Sequence, residues 1–252
     1  MAQKHKVAVV IPIYKNSLDE DEVSALQQAL KVLHKHPIIF IAPTSLDFSF
    51  YLQFFEKQAY FVWRFDDHSF SDINGYNQLM LSPSFYKRFL AYEFILIYQL
   101  DAYVFRDDLL YWCKQNYDFI GAPNEAHENA AGQVQFLKGY ANVLKIFNRK
   151  IKNVGNGGLS LRKTRTCYWL LKIGKQLVKK WGPNNEDGFF KYWGNILSPL
   201  ISLPSDDTAL KFSVETEPAK SLDKLGNKLP FGCHAYKKYD WATWEPFIKS
   251  IK

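Results

Sequence analysis

From Val7 to Tyr14 the chain reads Val-Ala-Val-Val-Ile-Pro-Ile-Tyr, an apolar and largely β-branched run with no charged residue to turn toward water. Such a run is stable as a strand only where both faces are covered, so it predicts a central strand of a parallel sheet. Residues Asp21 to His34 then place Val23, Leu26, Ala29, Leu30 and Leu33 at helical spacing, and Pro37 to Pro43 is a second buried run. Together they predict a strand, helix, strand unit. A helical stretch through Phe50, Phe54 and Phe55 leads to a third strand from Tyr60 to Phe65. Ser82-Pro83 opens another helix, because proline suits a first helical turn, and Phe94 to Leu100 is the most strand-like run in the chain.

This alternation predicts the α/β class, as a single Rossmann-like domain over residues 1–252 with a mainly parallel central sheet flanked by helices. Ligands of such sheets sit beyond the carboxyl ends of the strands. Function is therefore expected at Tyr14-Lys15-Asn16, at Asp66-Asp67-His68 and at Asp101. After Phe119 to Pro123 the periodicity fades, and Asn124 to Lys152 reads as a long loop that is either a functional lid or mobile. No repeat, low-complexity tract or linker divides the chain.

Composition narrows the partners. Phe, Trp and Tyr make up 17% of the residues, more ring surface than a core of this size needs, and sugars or bases are the usual partners of such surfaces. Lys+Arg 32 against Asp+Glu 25 gives +7, which favours nucleotides, phosphates or an acidic membrane surface. Nucleic acid is not expected, since the lysines are dispersed and no recognition motif accompanies them. Cys113, Cys167 and Cys233 form no CxxC pair, which argues against a zinc knuckle or a disulfide framework and for a reducing compartment. The start of the chain lacks a small-residue cleavage site, and no apolar stretch approaches the roughly 20 residues that span a bilayer. A cytoplasmic location is the expectation. The C-terminal Lys237 to Lys252 mixes lysines with Trp241, Trp244 and Phe247; it either rests peripherally on an anionic membrane or packs its rings on the domain. Pro246 argues against one uninterrupted helix there.

Four stations carry candidate chemistry. Asp101 ends a buried strand, which suits a ligand of Mg²⁺ or Mn²⁺ bridging the phosphates of a nucleotide, or a turn cap. Gly155, Gly157 and Gly158 precede a short strand ending in Arg162, with the spacing of neither a P-loop nor a dinucleotide fingerprint. Glu186 and Asp187 lie at a helix start, where the dipole favours acids and where a carboxylate is placed to act as a general base. His234 becomes a metal-ligand candidate if the fold brings Asp101 to it. His5, His34 and His36 read as surface, and His68 and His127 as loop residues.

Taken in order, these stations resemble a GT-A-type glycosyltransferase, and in particular a domain-of-unknown-function family of bacterial surface-glycan transferases. The resemblance is carried by Gly75-Tyr-Asn77, Tyr98-Gln-Leu-Asp-Ala-Tyr-Val-Phe105, Tyr117-Asp-Phe-Ile-Gly-Ala-Pro123, Gly155 to Arg162, Glu186-Asp187-Gly-Phe-Phe190 and Gly232-Cys-His234. It implies a nucleotide-sugar-dependent, hexosyltransferase-like enzyme of polysaccharide biosynthesis. Its donor would be a UDP- or GDP-sugar and its acceptor a glycan or lipid-linked saccharide. Asp101 matches the last carboxylate of the family's Asp-x-Asp motif, Gln99 stands in place of the first, and His234 matches the late metal-binding histidine, so a divalent cation (Mn²⁺ or Mg²⁺) at Asp101 and His234 is implied. The donor would be bound by Pro12, Tyr14, Lys15, Tyr76, Asn77, Gln99, Asp101, Gly157 and Gly158. Asp187 or Glu186 would supply the base of an inverting displacement. Residues 1–123 would then form a nucleotide-sugar half and 124–252 an acceptor-binding and catalytic half. Two other readings stand beside it. A sugar nucleotidyltransferase would need a Gly-rich segment after the first strand, where Pro12 to Asn16 has no glycine. A non-catalytic carbohydrate-binding protein would leave the acids and His234 unexplained.

Overall fold

The computed structural model describes residues 5–55, 59–123, 146, 150–182 and 184–249. Its strands are β1 (His5–Pro12), β2 (Ile38–Pro43), β3 (Tyr60–Phe65), β4 (Tyr92–Tyr98), β5 (Ala102–Val104), β6 (Phe119–Ile120), β7 (Leu159–Lys163), β8 (Ser213–Val214) and β9 (Gly232–His234). Six of them form the central sheet in the order β3-β2-β1-β4-β7-β6, and a small second sheet runs β5-β9-β8. β1 lies parallel to β2 and β4, and β2 parallel to β3, while β7 is antiparallel to both β4 and β6. The mainly parallel α/β sheet expected from the strand runs is therefore the architecture found.

β1 is covered on both faces, as its unbroken apolar run requires. Val7, Val9 and Ile11 meet Leu26 and Ala29 of the helix Glu20–Val32, whereas Ala8 and Val10 join Phe85, Phe89, Cys167 and Leu171 on the opposite face. That first helix is started by Asp19, whose carboxylate accepts the Glu22 N–H while Glu22 accepts the Asp19 N–H. The chain builds β1, β2 and β3 outward in one direction, then returns to place β4 on the other side of β1. This reversal opens a crevice at the carboxyl ends of β1 and β4, the usual ligand position in such sheets.

Several local expectations are corrected. The aromatic stretch around Phe50 is a 3₁₀ turn, Ser49–Phe54, held by a ring cluster in which Phe48, Tyr51 and Phe55 surround Phe40. Asp66 caps a second 3₁₀ turn, Asp67–Phe70, by accepting the His68 N–H. His36 is buried, with Nε2 2.9 Å from Asp107 Oδ1. At the C-terminus a helix, Trp241–Lys249, continues through Pro246. The lost backbone bond is outweighed by packing, since Trp244 and Ile248, one turn apart, are both buried in a cluster with Val214, Cys233 and Tyr236. All three cysteines are free and buried.

Leu96 stands in the middle of β4 and is fully buried. Leu96→Ala is expected to lower unfolding stability by about 2–5 kcal/mol, measured by urea denaturation, because the lost methyl groups leave a cavity between packed layers.

Candidate active site

Three backbone ladders assemble the site. Antiparallel pairing of β4 with β7 sets Tyr98 opposite Leu159, and one step further the Gln99 N–H donates to Gly158 O at 2.8 Å. Pairing of β5 with β9 sets Ala102 opposite His234, and β8 sets Val214 opposite Cys233. Gln99, Asp101, Gly158, Glu215 and His234, remote in sequence, are thereby brought side by side.

His234 is the centre of this group. Its Nε2 lies 3.1 Å from Asp101 Oδ1 and 3.3 Å from Gln99 Oε1, and its Nδ1 lies 3.3 Å from Glu215 Oε1. Asn156 accepts the Gly158 and Leu159 N–H groups at Oδ1, which turns its NH₂ to within 2.9 Å of the same Nδ1 and sets it in competition with Glu215. Burial works to lower the imidazole pKa, but hydrogen bonds to Asp101 and Glu215 and their charges outweigh it and raise it to about 9. Burial likewise pushes the Asp101 carboxyl up, and the hydrogen bond and charge of His234 bring it below its ordinary value. Asp101 nevertheless opens outward, with its side chain 55% exposed.

Asp101 also belongs to the crevice predicted by the sheet topology. A cleft of about 500 Å³ is lined by Pro12, Ile13, Tyr14 and Lys15 after β1, by Gln99, Leu100 and Asp101 after β4, and by Phe70, Ser71, Asp72, Ile73 and Tyr76, with Leu18 and Glu22 closing it. Tyr51 donates its hydroxyl to Lys15 O and so braces the loop leaving β1. Among the described residues Lys15 is the one cation in this lining, and it is paired with Glu22 at 2.6 Å. The Tyr76 hydroxyl is buried with no hydrogen-bond partner among the described residues. Asn77, on the same helix, is buried but does not line the cleft, and neither does the Asp66 to His68 station.

The two adjacent glycines have a steric reason. A Cβ on Gly157 would collide with Glu186 Oε1, and one on Gly158 with His234 Nε2. Glu186 stands at the first turn of the helix Glu186–Ile196 and is buried. Its Oε1 accepts Arg162 Nη2 at 2.8 Å, while Oε2 has no partner among the described residues. Arg162 is wholly buried, donates to Ser160 Oγ and the Tyr86 hydroxyl, each at 2.9 Å, and lies over the rings of Phe119 and Phe190. Asp187 is half-buried, and its Oδ1 accepts the Gly188 N–H at 2.7 Å. Burial, then the charge of Glu186 and more weakly that of Glu215, raise its carboxyl pKa to about 6.

Reading the sequence missed Glu215 and Asn156, and it missed Glu22, Asp72 and Phe70 in the cleft wall. Glu215 follows a strand of two residues, too short to show any periodicity. Most of the Asn124 to Lys152 stretch, His127 included, lies outside the described residues.

A divalent cation fits this donor set. The carboxylate of Asp101, the Nε2 of His234 and the amide oxygen of Gln99 converge, and a cation would take the place of the proton now shared between His234 and Asp101. The mixture of nitrogen and oxygen suits Mn²⁺ better than Mg²⁺, which prefers oxygen alone. Among the described residues no three His, Cys, Asp or Glu side chains gather for a metal, so the remaining positions would fall to ligand oxygens or water.

The buried ion pair yields a test. Glu186→Ala leaves the Arg162 guanidinium uncompensated in the core and is expected to cost about 3–5 kcal/mol of unfolding stability in urea titrations. Glu186→Gln, which keeps an oxygen for Arg162, is expected to cost less than the alanine variant.

Comparison with solved structures places the fold in a known architecture. The chain superposes on galactosyltransferase LgtC in complex with donor and acceptor sugar analogues, with a TM-score of 0.58 and 12% identity over 96% of this chain and 94% of that one. Mouse xyloside xylosyltransferase 1 gives 0.54 and 12% over 91% and 97%. Core-mannan synthase A of Aspergillus fumigatus, in an Mn/GDP form, gives 0.50 and 11% over 82% and 72%. These likenesses show the GT-A fold. No curated protein matches the chain by sequence. A family profile described as "Protein of unknown function (DUF5672)" matches residues 59–234, and the chain, a GT-A fold by its structure, belongs to that family.

Proposed function

We propose that the protein is a glycosyltransferase that moves a sugar from a UDP- or GDP-sugar to a glycan or lipid-linked saccharide. The observation that carries this reading is the junction at Asp101, which belongs both to a nucleotide-sized cleft at the sheet's switch point and to the His234 cluster. The cleft residues up to Asp101 would seat the nucleotide, with Tyr14 and Tyr76 offering ring faces to the base or ribose. Gly157 and Gly158 would form the floor beneath the transferred sugar. A cation held by Asp101 and His234, with Gln99 beside them, would neutralise the leaving diphosphate. Its need is electrostatic: the lining carries Glu22, Asp72 and Asp101 against a single, paired Lys15, so a diphosphate would otherwise meet net negative charge.

Of the two acids, Asp187 is the better base. Glu186 is buried, and its Oε1 is occupied by Arg162 Nη2 at 2.8 Å, so it is not free to meet an acceptor hydroxyl. Asp187 is half-open, and its pKa near 6 leaves it ionised but basic at neutral pH, the condition for removing a proton from an acceptor hydroxyl as that oxygen attacks the anomeric carbon. Attack opposite to the departing diphosphate inverts the anomeric centre.

Calorimetric titration with UDP- and GDP-sugars, with and without Mn²⁺, is expected to show binding that Mn²⁺ strengthens. A protein that binds none of them under either condition refutes the reading. Asp187→Asn is expected to lower turnover by about 10²–10⁴-fold with donor affinity nearly unchanged. Because Asp187 must be ionised, kcat/KM of the natural protein should hold above pH 6 and fall about tenfold per pH unit below it.

A further inference from the structure

Away from the cleft, the helix Thr164–Ile173 and the next, Lys175–Trp181, meet at Gly174 and share an unusual outer face. Their residues include Arg165, Lys172, Lys175, Lys179 and Lys180 and no acid. All five cations are exposed, and none enters an ion pair among the described residues. Arg165, Trp169, Lys172 and Ile173 in the first helix, and Gln176, Lys179 and Lys180 in the second, recur at steps of three and four, the spacing that gathers side chains on one face of each helix. In their midst Trp169 is 46% and Ile173 81% exposed, although Cys167 and Leu171 of the same helix are buried. Lys172 is exposed, and its Nζ lies 4.7 Å from the Trp169 ring centroid.

We infer that this face docks on an anionic phospholipid surface. An apolar centre of Trp and Ile ringed by unpaired cations matches the layering of a membrane interface, where indole and aliphatic groups sink below the headgroups and lysines stay at the phosphates. A nucleic acid or an acidic protein strand would satisfy the cations but give no return for exposing Ile173. The C-terminal segment is the weaker anchor of the two, because Trp244 and Ile248 are spent in the core. The inference does not rest on the proposed transfer reaction, and its test involves no sugar.

The test is co-sedimentation of the full chain with vesicles of phosphatidylcholine alone and of phosphatidylglycerol mixed with phosphatidylcholine in equal parts. Binding is expected to the mixed vesicles and not to the neutral ones. Trp169→Ser with Ile173→Ser, and separately Lys172→Glu with Lys179→Glu, should each lower the partition coefficient by about tenfold with unchanged thermal melting. Lys114→Glu with Lys211→Glu makes the same change in net charge on exposed residues elsewhere and should alter it less than about twofold. The inference is overturned if the mixed vesicles fail to bind the natural protein, or if the Lys114 and Lys211 pair weakens binding as much as the Lys172 and Lys179 pair. It is equally overturned if the serine pair has no effect, which would mark the face as a site for soluble polyanions.

Discussion

The register of the chain between Tyr98 and Val104 is the constraint on which the site depends. Within seven residues the backbone leaves the large sheet, where β4 pairs with β1 and β7, and enters the small one, where β5 pairs with β9. Gln99 and Asp101 stand at that seam. A slip of one residue in the β5–β9 ladder would turn the side chain of His234 to the other face and away from Asp101. The side-chain contacts around His234 run from 2.9 to 3.3 Å and are individually modest, so it is the backbone hydrogen bonds of three ladders that hold the functional atoms together.

Charge is arranged around this seam in two closed sets and one open group. Arg162 with Glu186 forms the first set, sealed by Tyr86, Ser160 and two aromatic rings. Asp101, His234 and Glu215 form the second. The glycines at 157 and 158 let the two sets approach the same stretch of backbone from adjacent positions, since any side chain there would displace either the carboxylate or the imidazole. Asp187 is left outside both. Its raised pKa follows from that position, because desolvation and the charges of Glu186 and Glu215 outweigh the Gly188 N–H and the weaker pull of Arg162.

Much of the frame was legible in the sequence because buried strands advertise themselves. Val7 to Tyr14, Pro37 to Pro43 and Phe94 to Leu100 can be stable only as covered strands, and their order implies the crevice at Tyr14 and Asp101 that the structure contains. What was hidden depended on partners rather than on pattern. The antiparallel setting of β7 leaves no mark on its own residues. Phe50, Phe54 and Phe55 looked helical by spacing, yet the ring cluster around Phe40 favours a 3₁₀ turn. Pro246 looked like a break, but burial of Trp244 and Ile248 outweighs one missing backbone bond. Glu186 and Asp187 are adjacent and chemically alike, and only the position of Arg162, distant in sequence, ties one into a buried ion pair and leaves the other outside it.

Net charge shows the same limit from another side. The surplus of +7 suggests an anionic ligand drawn by the protein's own cations, but the cleft lining has three carboxylates and one neutralised lysine. Five cations, Arg165, Lys172, Lys175, Lys179 and Lys180, lie instead on the outer helices with no acid beside them in sequence. At physiological ionic strength the screening length is about 8 Å, so charges on a remote face contribute little inside the cleft. The whole-chain surplus and the formal charge of the described lining therefore have opposite signs. A diphosphate proposed for that cleft would need a cation held by Asp101 and His234 to offset its charge, and the basic face lies too far away to supply it.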